Sequence, residues 1–140
     1  MEQGGYKVLF VCAENACRSQ MAEAFFNRLA RRGEAESAGT FPSGRVNPSA
    51  VEVMREVGVD ISGNSSKPLD LSRLGEFDRI ISFGCIAKAA FPARDRLEEW
   101  LIEDPAGHEL DFFRKVRDEI KRRVEVIVEE MEGRGGTREA

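Results

Sequence analysis

The residues with the clearest chemical potential form the segment Cys12-Ala13-Glu14-Asn15-Ala16-Cys17-Arg18-Ser19, in which five residues separate a cysteine from an arginine. A short loop that enters a helix can turn its backbone N–H groups inward to bind an anion, and the positive end of the helix dipole points to the same place. The planar, permanently charged guanidinium of Arg18 matches two oxygens of a tetrahedral oxyanion. The segment therefore predicts an oxyanion-binding loop.

Cys12 is the candidate nucleophile of this loop. A thiol in such a positive field is shifted toward the thiolate, which is the reactive form. Asn15 tolerates the left-handed backbone that a tight loop without glycine needs, and Ser19 can donate a hydrogen bond to the sulfur. The alternative is a buried cysteine at a strand end and an arginine on the surface. A strand before the segment and a helix after it favour the catalytic interpretation.

The pattern of apolar residues predicts these two flanking elements. Residues 7–11 form a short apolar run that is typical of a buried parallel strand. After Ser19, apolar residues recur at helical spacing, which predicts a helix that ends near Gly33. The residues of this apolar face are Met21, Ala22, Phe25, Phe26 and Leu29.

The rest of the chain predicts three more strands and two more helices. The strands are expected at 35–38, 79–83 and 97–102. Asn47 and Pro48 are typical of a helix start, and Gly58 of its end. Residues 60–74 are expected to form a loop with one short helical turn, and a long helix is expected between His108 and Met131.

Alternating strands and helices predict an α/β fold, with a four-stranded parallel sheet and helices on both faces. Ligands of such folds bind at the carboxyl ends of the strands. Cys12 and Cys85 both follow predicted strands at this end, so we expect them to share one cleft. We expect one domain over residues 1–132 and a disordered Gly-rich tail over 133–140.

Composition restricts the classes of partner. The chain has 140 residues, 33% of them charged, and a net charge of −4, which disfavours nucleic acid and anionic membranes as partners. No apolar run approaches the roughly 20 residues of a membrane helix, and residues 1–6 lack signal-peptide features. We expect a cytoplasmic monomer whose three cysteines are reduced thiols, since an odd number disfavours a disulfide framework.

Residues 8–24, V-L-F-V-C-A-E-N-A-C-R-S-Q-M-A-E-A, resemble the low-molecular-weight protein tyrosine phosphatase family, which has a flavodoxin-like fold, and within it the thiol-linked arsenate reductases. Gln20 is the reductase-like residue, because the phosphatases more often carry proline there. The resemblance extends from about residue 7 to residue 131. The further segments that carry it are 36–40, 46–48, 57–62, 103–107 and 113–120.

The resemblance implies a role for each site residue. Cys12 would be the nucleophile, Arg18 would bind the oxyanion, and Asp104 would be the general acid that protonates the departing oxygen. Asp104-Pro105 is also typical of a helix start, and the two roles are compatible. The implied oxyanion-binding residues are Ala13, Glu14, Asn15, Ala16, Cys17, Arg18 and Ser19.

Cys85 distinguishes the two activities known in the family. Gly84-Cys85 resembles the position of a second reductase cysteine, which would attack the Cys12 sulfur, release arsenite and leave a Cys12–Cys85 disulfide. A phosphatase needs only water for its second step. The alternative for Cys85 is a buried structural thiol. The resemblance thus implies an arsenate reductase, with a phosphatase of phosphomonoesters as the second hypothesis.

The residues after Asp104-Pro105 bear on this choice. Phosphatases of the family usually place aromatic residues there to stack on the substrate ring, and this chain has Ala106-Gly107-His108. This difference favours the reductase. A third hypothesis is a non-catalytic module that binds oxyanions or senses oxidants through Cys12 and Cys17, since thiols of low pKa oxidise readily.

Two positions depart from the reductase pattern. Many reductases carry a third thiol just before a proline, where this chain has Phe91, so we expect turnover to need an external reductant of the thioredoxin or glutaredoxin type. Cys17 is the only other internal thiol that could take over the disulfide, but in the tight loop it is poorly placed to relay electrons outward. Lys67 replaces an acidic residue that helps some relatives to hold potassium. Because Lys67 could supply the positive charge itself, we expect no metal and no tightly bound cofactor. We also expect no zinc site, because His108 is the only histidine and the three cysteines include no close pair with ligand spacing.

Overall fold

The computed structural model describes residues 5–133, and within them it contains four strands and three α-helices. The strands are β1 (Tyr6–Cys12), β2 (Gly33–Gly39), β3 (Arg79–Ser82) and β4 (Leu97–Glu99). The helices are α1 (Arg18–Leu29), α2 (Pro48–Glu56) and α3 (Leu110–Glu132), and short 3₁₀-helices span Leu71–Glu76, Lys88–Ala90 and Arg94–Arg96.

All four strands are parallel and form one sheet in the order β2-β1-β3-β4. The predicted fold class is confirmed. β4 is shorter than predicted and ends at Glu99, and α3 begins at Leu110. Of the predicted tail, residues 134–140 lie outside the described part of the chain.

The side chains of β1 alternate between two hydrophobic clusters. Val8 and Phe10 pack into a larger cluster to which all three α-helices contribute. Leu9 and Val11 point to the opposite face and pack into a smaller cluster formed by residues from Leu74 to Leu97. This second face is covered by 3₁₀-helices and loops rather than by α-helices, because its covering segments are short and interrupted by glycine and proline.

The two ends of α2 are formed as predicted. The side chain of Asn47 accepts a hydrogen bond from the amide of Ser49 at 2.8 Å, and Pro48 is the first helical residue. Gly58 follows the last turn with a φ of 80°, a conformation that favours glycine. This capping fixes the position of residues 40–47, which lead into the helix and contact the Cys12 loop.

The carboxyl end of α3 is attached to the opposite end of the sheet through Glu132. Its carboxylate accepts a hydrogen bond from the Tyr6 hydroxyl at 2.7 Å and from the amides of Arg31 and Arg32 at 2.9 and 3.1 Å. Burial by itself would raise the pKa of Glu132, but these hydrogen bonds lower it below its ordinary value.

No helix in residues 5–133 is long and apolar enough to cross a membrane.

Candidate active site

The Cys12 loop joins the end of β1 to the start of α1. Cys12 is the last residue of the central strand β1, and Arg18 is the first residue of α1. The N-terminus of this 12-residue helix therefore points into the loop, where its partial positive charge favours an anion. The predicted strand–loop–helix arrangement is confirmed.

Residues 40–47 determine the direction of the peptide groups in the loop. Their amides donate hydrogen bonds to successive loop carbonyls, and in a trans peptide the N–H points away from the C=O. The N–H groups of residues 13, 14, 15 and 17 therefore point to the inside of the loop. The bonds run from Thr40 to Cys12 (3.3 Å), Phe41 to Ala13 (2.7 Å), Ser43 to Glu14 (3.2 Å) and Asn47 to Ala16 (3.0 Å).

Gly39 allows this close contact between β2 and the loop. A Cβ atom at this position would lie 2.7 Å from the carbonyl oxygen of Ala13 and 2.9 Å from the amide nitrogen of Asn15. Both contacts are shorter than van der Waals distances, and both are with backbone atoms. Gly39 was not predicted as a site residue. A glycine directly after the predicted strand 35–38 and before the contacting segment is the sequence feature that could have indicated this role.

A chain of hydrogen bonds inside the loop leads to the sulfur. Gln20 donates to the side-chain oxygen of Asn15 at 3.1 Å, and Asn15 donates to the Ser19 hydroxyl at 2.7 Å. The Ser19 oxygen lies 2.8 Å from the Cys12 sulfur, as the sequence predicts. Asn15 has a φ of 53°, which confirms its predicted left-handed conformation. Gln20 is fully buried and was not predicted as a site residue.

Arg18 is held rigidly at the edge of the loop. Its Nη1 donates to the carbonyl oxygens of Phe83 and Ile102 at 3.0 and 2.8 Å, and its guanidinium carbon lies 5.5 Å from the centre of the Phe83 ring. Its side chain is buried. The alternative of a surface arginine is therefore wrong, because the ends of β3 and β4 enclose the guanidinium.

Asp104 lies at the entrance of a small cleft above the loop. One carboxylate oxygen is 3.9 Å from Nη2 of Arg18, and the other accepts the amide of Ala106 at 3.1 Å. Asp104 does not cap the last helix, because residues 105–109 form turns and α3 begins only after Glu109. The cleft is lined by Cys12, Glu14, Ala16, Cys17, Arg18, Asp104 and Ala106.

Cys85 lies at the same end of the sheet as Cys12, three residues beyond the end of β3. Its sulfur is 3.6 Å from the carbonyl oxygen of Val11 and 3.7 Å from the Ser82 hydroxyl. It is half-buried and packs against the smaller cluster, whereas Cys12 belongs to the larger one. The two thiols therefore lie at the same end of the sheet but pack against opposite faces of it, and Cys85 is not among the residues that line the cleft.

Cys17 is buried directly before α1. Burial raises the pKa of its thiol to about 12, with a smaller contribution from Asp104. At neutral pH this sulfur is therefore a protonated thiol and a poor nucleophile.

Lys67 lies behind the loop, and its amide donates to the side chain of Asn15 at 2.8 Å. Its ammonium group is 3.5 Å from the Ser37 hydroxyl and 3.8 Å from the Glu23 carboxylate. A positive charge thus lies next to these two groups. In the described part of the chain, no three His, Cys, Asp or Glu side chains are close enough together to hold a metal ion.

A parallel sheet with a Cys-x5-Arg loop between its first strand and first helix defines the class of cysteine-dependent enzymes that act on tetrahedral oxyanions. The chain belongs to the low molecular weight phosphotyrosine protein phosphatase family, whose model matches residues 7–135.

Similar proteins include both reductases and phosphatases. The chain is 41% identical over 125 residues to a glutaredoxin arsenate reductase of Synechocystis, covering 87% of this chain and 95% of the relative. It is 38% identical to an arsenate reductase solved in the phosphate-binding state, with a TM-score of 0.78 and coverage of 90% and 98%. It is 31% identical to the low molecular weight protein tyrosine phosphatase of T. tengcongensis, with a TM-score of 0.81 and coverage of 89% and 99%.

Proposed function

We propose that this protein is an arsenate reductase that works through a Cys12–arsenate adduct and a Cys12–Cys85 disulfide. The observation that carries the proposal is the position of the Cys85 sulfur, 3.6 Å from the carbonyl oxygen of the residue directly before Cys12. A phosphatase has no use for a second thiol at this place. The identity to arsenate reductases over most of the chain supports the same choice.

In the first step, the Cys12 thiolate attacks arsenic and an oxygen leaves as water. The inward amides of the loop and the rigid guanidinium of Arg18 bind the remaining oxygens. Because Nη1 of Arg18 donates to two backbone carbonyls, Nε and Nη2 are left for the oxyanion. Asp104, exposed at the entrance of the cleft, protonates the departing oxygen.

In the second step, the Cys85 thiolate attacks the Cys12 sulfur. The new S–S bond forms as the S–As bond breaks, and the electron pair of that bond stays on arsenic. Arsenic is thereby reduced from As(V) to As(III), arsenite leaves, and the two thiols are oxidised to a disulfide. Because the thiols pack into different clusters, the segment after Ser82 must shift. Gly84, at a φ of 87° with no atoms around its Cβ position, supplies a flexible point.

The disulfide is reduced by an external thiol protein of the glutaredoxin type. Phe91 is buried in the smaller cluster and offers no third thiol, and the protonated Cys17 is unsuited to relay electrons. The relative from Synechocystis is named a glutaredoxin arsenate reductase. Since the reaction begins with two free thiols, the protein works in a reducing compartment, the cytoplasm.

Phosphomonoester hydrolysis is the second candidate, and the likeness to the T. tengcongensis phosphatase favours it. The loop chemistry of the first step serves phosphate as well as arsenate. In this chain the residue after Asp104-Pro105 that lines the cleft is Ala106, and no aromatic side chain is among the lining residues to stack on a phosphotyrosine ring. We propose this activity as a slow side reaction.

The test is an arsenate-dependent assay with glutaredoxin and thioredoxin systems, in the wild type and in the three single Cys→Ser variants. We expect Cys12→Ser to abolish both arsenate reduction and aryl phosphate hydrolysis. Cys85→Ser abolishes multiple-turnover reduction and leaves aryl phosphate hydrolysis within about twofold, while Cys17→Ser is the matched control that retains both. Undiminished arsenate turnover in Cys85→Ser refutes the proposal.

A further inference from the structure

The Cys85 sulfur has two polar neighbours with different hydrogen-bonding capacity. One is the carbonyl oxygen of Val11 at 3.6 Å, which can only accept. The other is the hydroxyl of Ser82 at 3.7 Å, a side chain that is 1% exposed at the end of β3. Both distances lie within the longer range of hydrogen bonds to sulfur.

The Gly84 amide sets the direction of the bond between Ser82 and Cys85. This amide donates to the Ser82 oxygen at 3.2 Å, so the hydroxyl proton of Ser82 is free to point at the sulfur. The same turn that places Cys85 after β3 thus also orients the hydroxyl toward it.

The two neighbours favour different protonation states of Cys85. The Val11 carbonyl accepts the S–H of the neutral thiol, but it repels a thiolate, because it has no proton to donate. The Ser82 hydroxyl can donate to the sulfur in either state, and a hydrogen bond to an anion is the stronger one. When the thiol loses its proton, its hydrogen bond to the Val11 carbonyl is lost, and the hydrogen bond from Ser82 becomes the one that stabilises the sulfur.

We propose that Ser82 is a positioning residue for disulfide formation, which donates a hydrogen bond to Cys85 and stabilises the thiolate that attacks Cys12. This inference rests on the proposed function for its role in turnover. The hydrogen bond itself is testable without arsenate.

The surroundings of Cys85 explain why such a donor is needed. Burial is the main influence and raises the pKa of this thiol. The hydrogen bond from Ser82 lowers it, the negative charge of Cys12 raises it, and the more distant Arg18 lowers it. Of the effects that oppose burial, the hydrogen bond from Ser82 is the largest, ahead of a backbone hydrogen bond at Cys85 itself and of the charge of Arg18.

The experiment compares Ser82→Thr with Ser82→Val, which have the same shape and differ in the hydroxyl group, together with Ser82→Ala. In a background of Cys12→Ser and Cys17→Ser, Cys85 is the single thiol, and its rate of alkylation by iodoacetamide is measured from pH 6 to 10. We expect the midpoint of the profile to move to higher pH in the Val and Ala variants. Their alkylation at pH 7.5 should be roughly three- to tenfold slower than with serine or threonine, from the usual strength of one hydrogen bond.

A second measurement uses the full set of cysteines and a single addition of arsenate without reductant. The rate of Cys12–Cys85 disulfide formation should fall by a similar factor in Ser82→Val and recover in Ser82→Thr. Ser62→Ala, an exposed serine bonded to Asp60, is the control and should match the wild type. Equal alkylation profiles for the Thr and Val variants overturn the proposal. Failure of the wild type to form any disulfide overturns the proposed function instead, and the alkylation profiles still decide the role of Ser82.

Discussion

The Ser19 hydroxyl oxygen lies 2.8 Å from the sulfur of Cys12, while Asn15 donates to the same hydroxyl at 2.7 Å. Since Asn15 supplies a proton to the Ser19 oxygen, the proton of that hydroxyl is directed at the sulfur. The relationship places a hydrogen-bond donor next to the proposed nucleophile on the side away from the cleft. It leaves the opposite side of the sulfur open to an oxyanion.

The first prediction concerns this donor. Ser19→Ala removes the hydrogen bond to the sulfur and leaves Asn15 without its acceptor, so the negative sulfur is less stabilised. We expect alkylation of Cys12 at pH 7 and the rate of aryl phosphate hydrolysis to fall by about tenfold, from the strength of a hydrogen bond to a charged group. Ser72→Ala, an exposed serine bonded to Asp70, serves as the control. A Ser19→Ala protein that reacts as fast as the control contradicts the role of Ser19.

The second prediction concerns the contact between β2 and the loop. Gly39→Ala forces a methyl group against the Ala13 carbonyl and the Asn15 amide, so the loop has to move. We expect a loss of about 2 kcal/mol in the free energy of unfolding, as for other overpacked sites, and a loss of most phosphate binding. Both quantities follow from urea unfolding with and without phosphate.

Gly63→Ala is the matched control for this substitution. Nothing lies within 4 Å of a Cβ atom at Gly63, and its φ is outside the positive region, so the added methyl should be harmless. If Gly39→Ala binds phosphate as well as Gly63→Ala does, the loop does not depend on the close approach of β2.

The fold could be predicted largely from local signals in the sequence. The apolar run before Cys12, the helical spacing after Ser19 and the cap at Asn47 and Pro48 each correspond to an observed element. The ends of helices and strands were predicted less accurately than their existence. The last helix begins later than Asp104-Pro105 suggests, since the Asp104 side chain instead caps a turn at Ala106.

The supporting contacts of the site could not be predicted, because they join distant parts of the chain. The carbonyls that hold Arg18 come from Phe83 and Ile102, 65 and 84 residues away. The need for glycine at position 39 and the link from Gln20 to Ser65 likewise arise from strand order and loop packing. Residue type and spacing were enough to predict which groups are reactive, while the orientation of these groups required the structure.

The third prediction concerns stability as a function of pH. The folded-state pKa of Glu132 is lowered, so its contribution to stability is present above the unfolded value of about 4.5 and is lost as the pH falls through the folded value. Glu132→Gln should therefore destabilise the fold by about 2 kcal/mol at pH 7, the usual size for hydrogen bonds to a charged group. The difference in the free energy of unfolding between Glu132→Gln and the wild type should become smaller below pH 4.5.

Chemical unfolding from pH 3 to 8 measures this difference. Glu125→Gln is the control, since Glu125 makes an exposed pair with Lys121 and such pairs contribute little. If the free energy of unfolding of Glu132→Gln differs from that of the wild type by the same amount over the whole pH range, the charge of Glu132 is not what stabilises its contacts with Tyr6, Arg31 and Arg32.

The proposed reduction mechanism is tested most sharply by identifying the sulfurs that become joined when the fully reduced protein reacts with arsenate in a single turnover. We expect one arsenite to be released per disulfide formed, and mass spectrometry of the unreduced peptides should find Cys12 joined to Cys85 with Cys17 still alkylatable. Arsenite released with Cys85 still a free thiol, or a disulfide between Cys12 and Cys17 in its place, would contradict it.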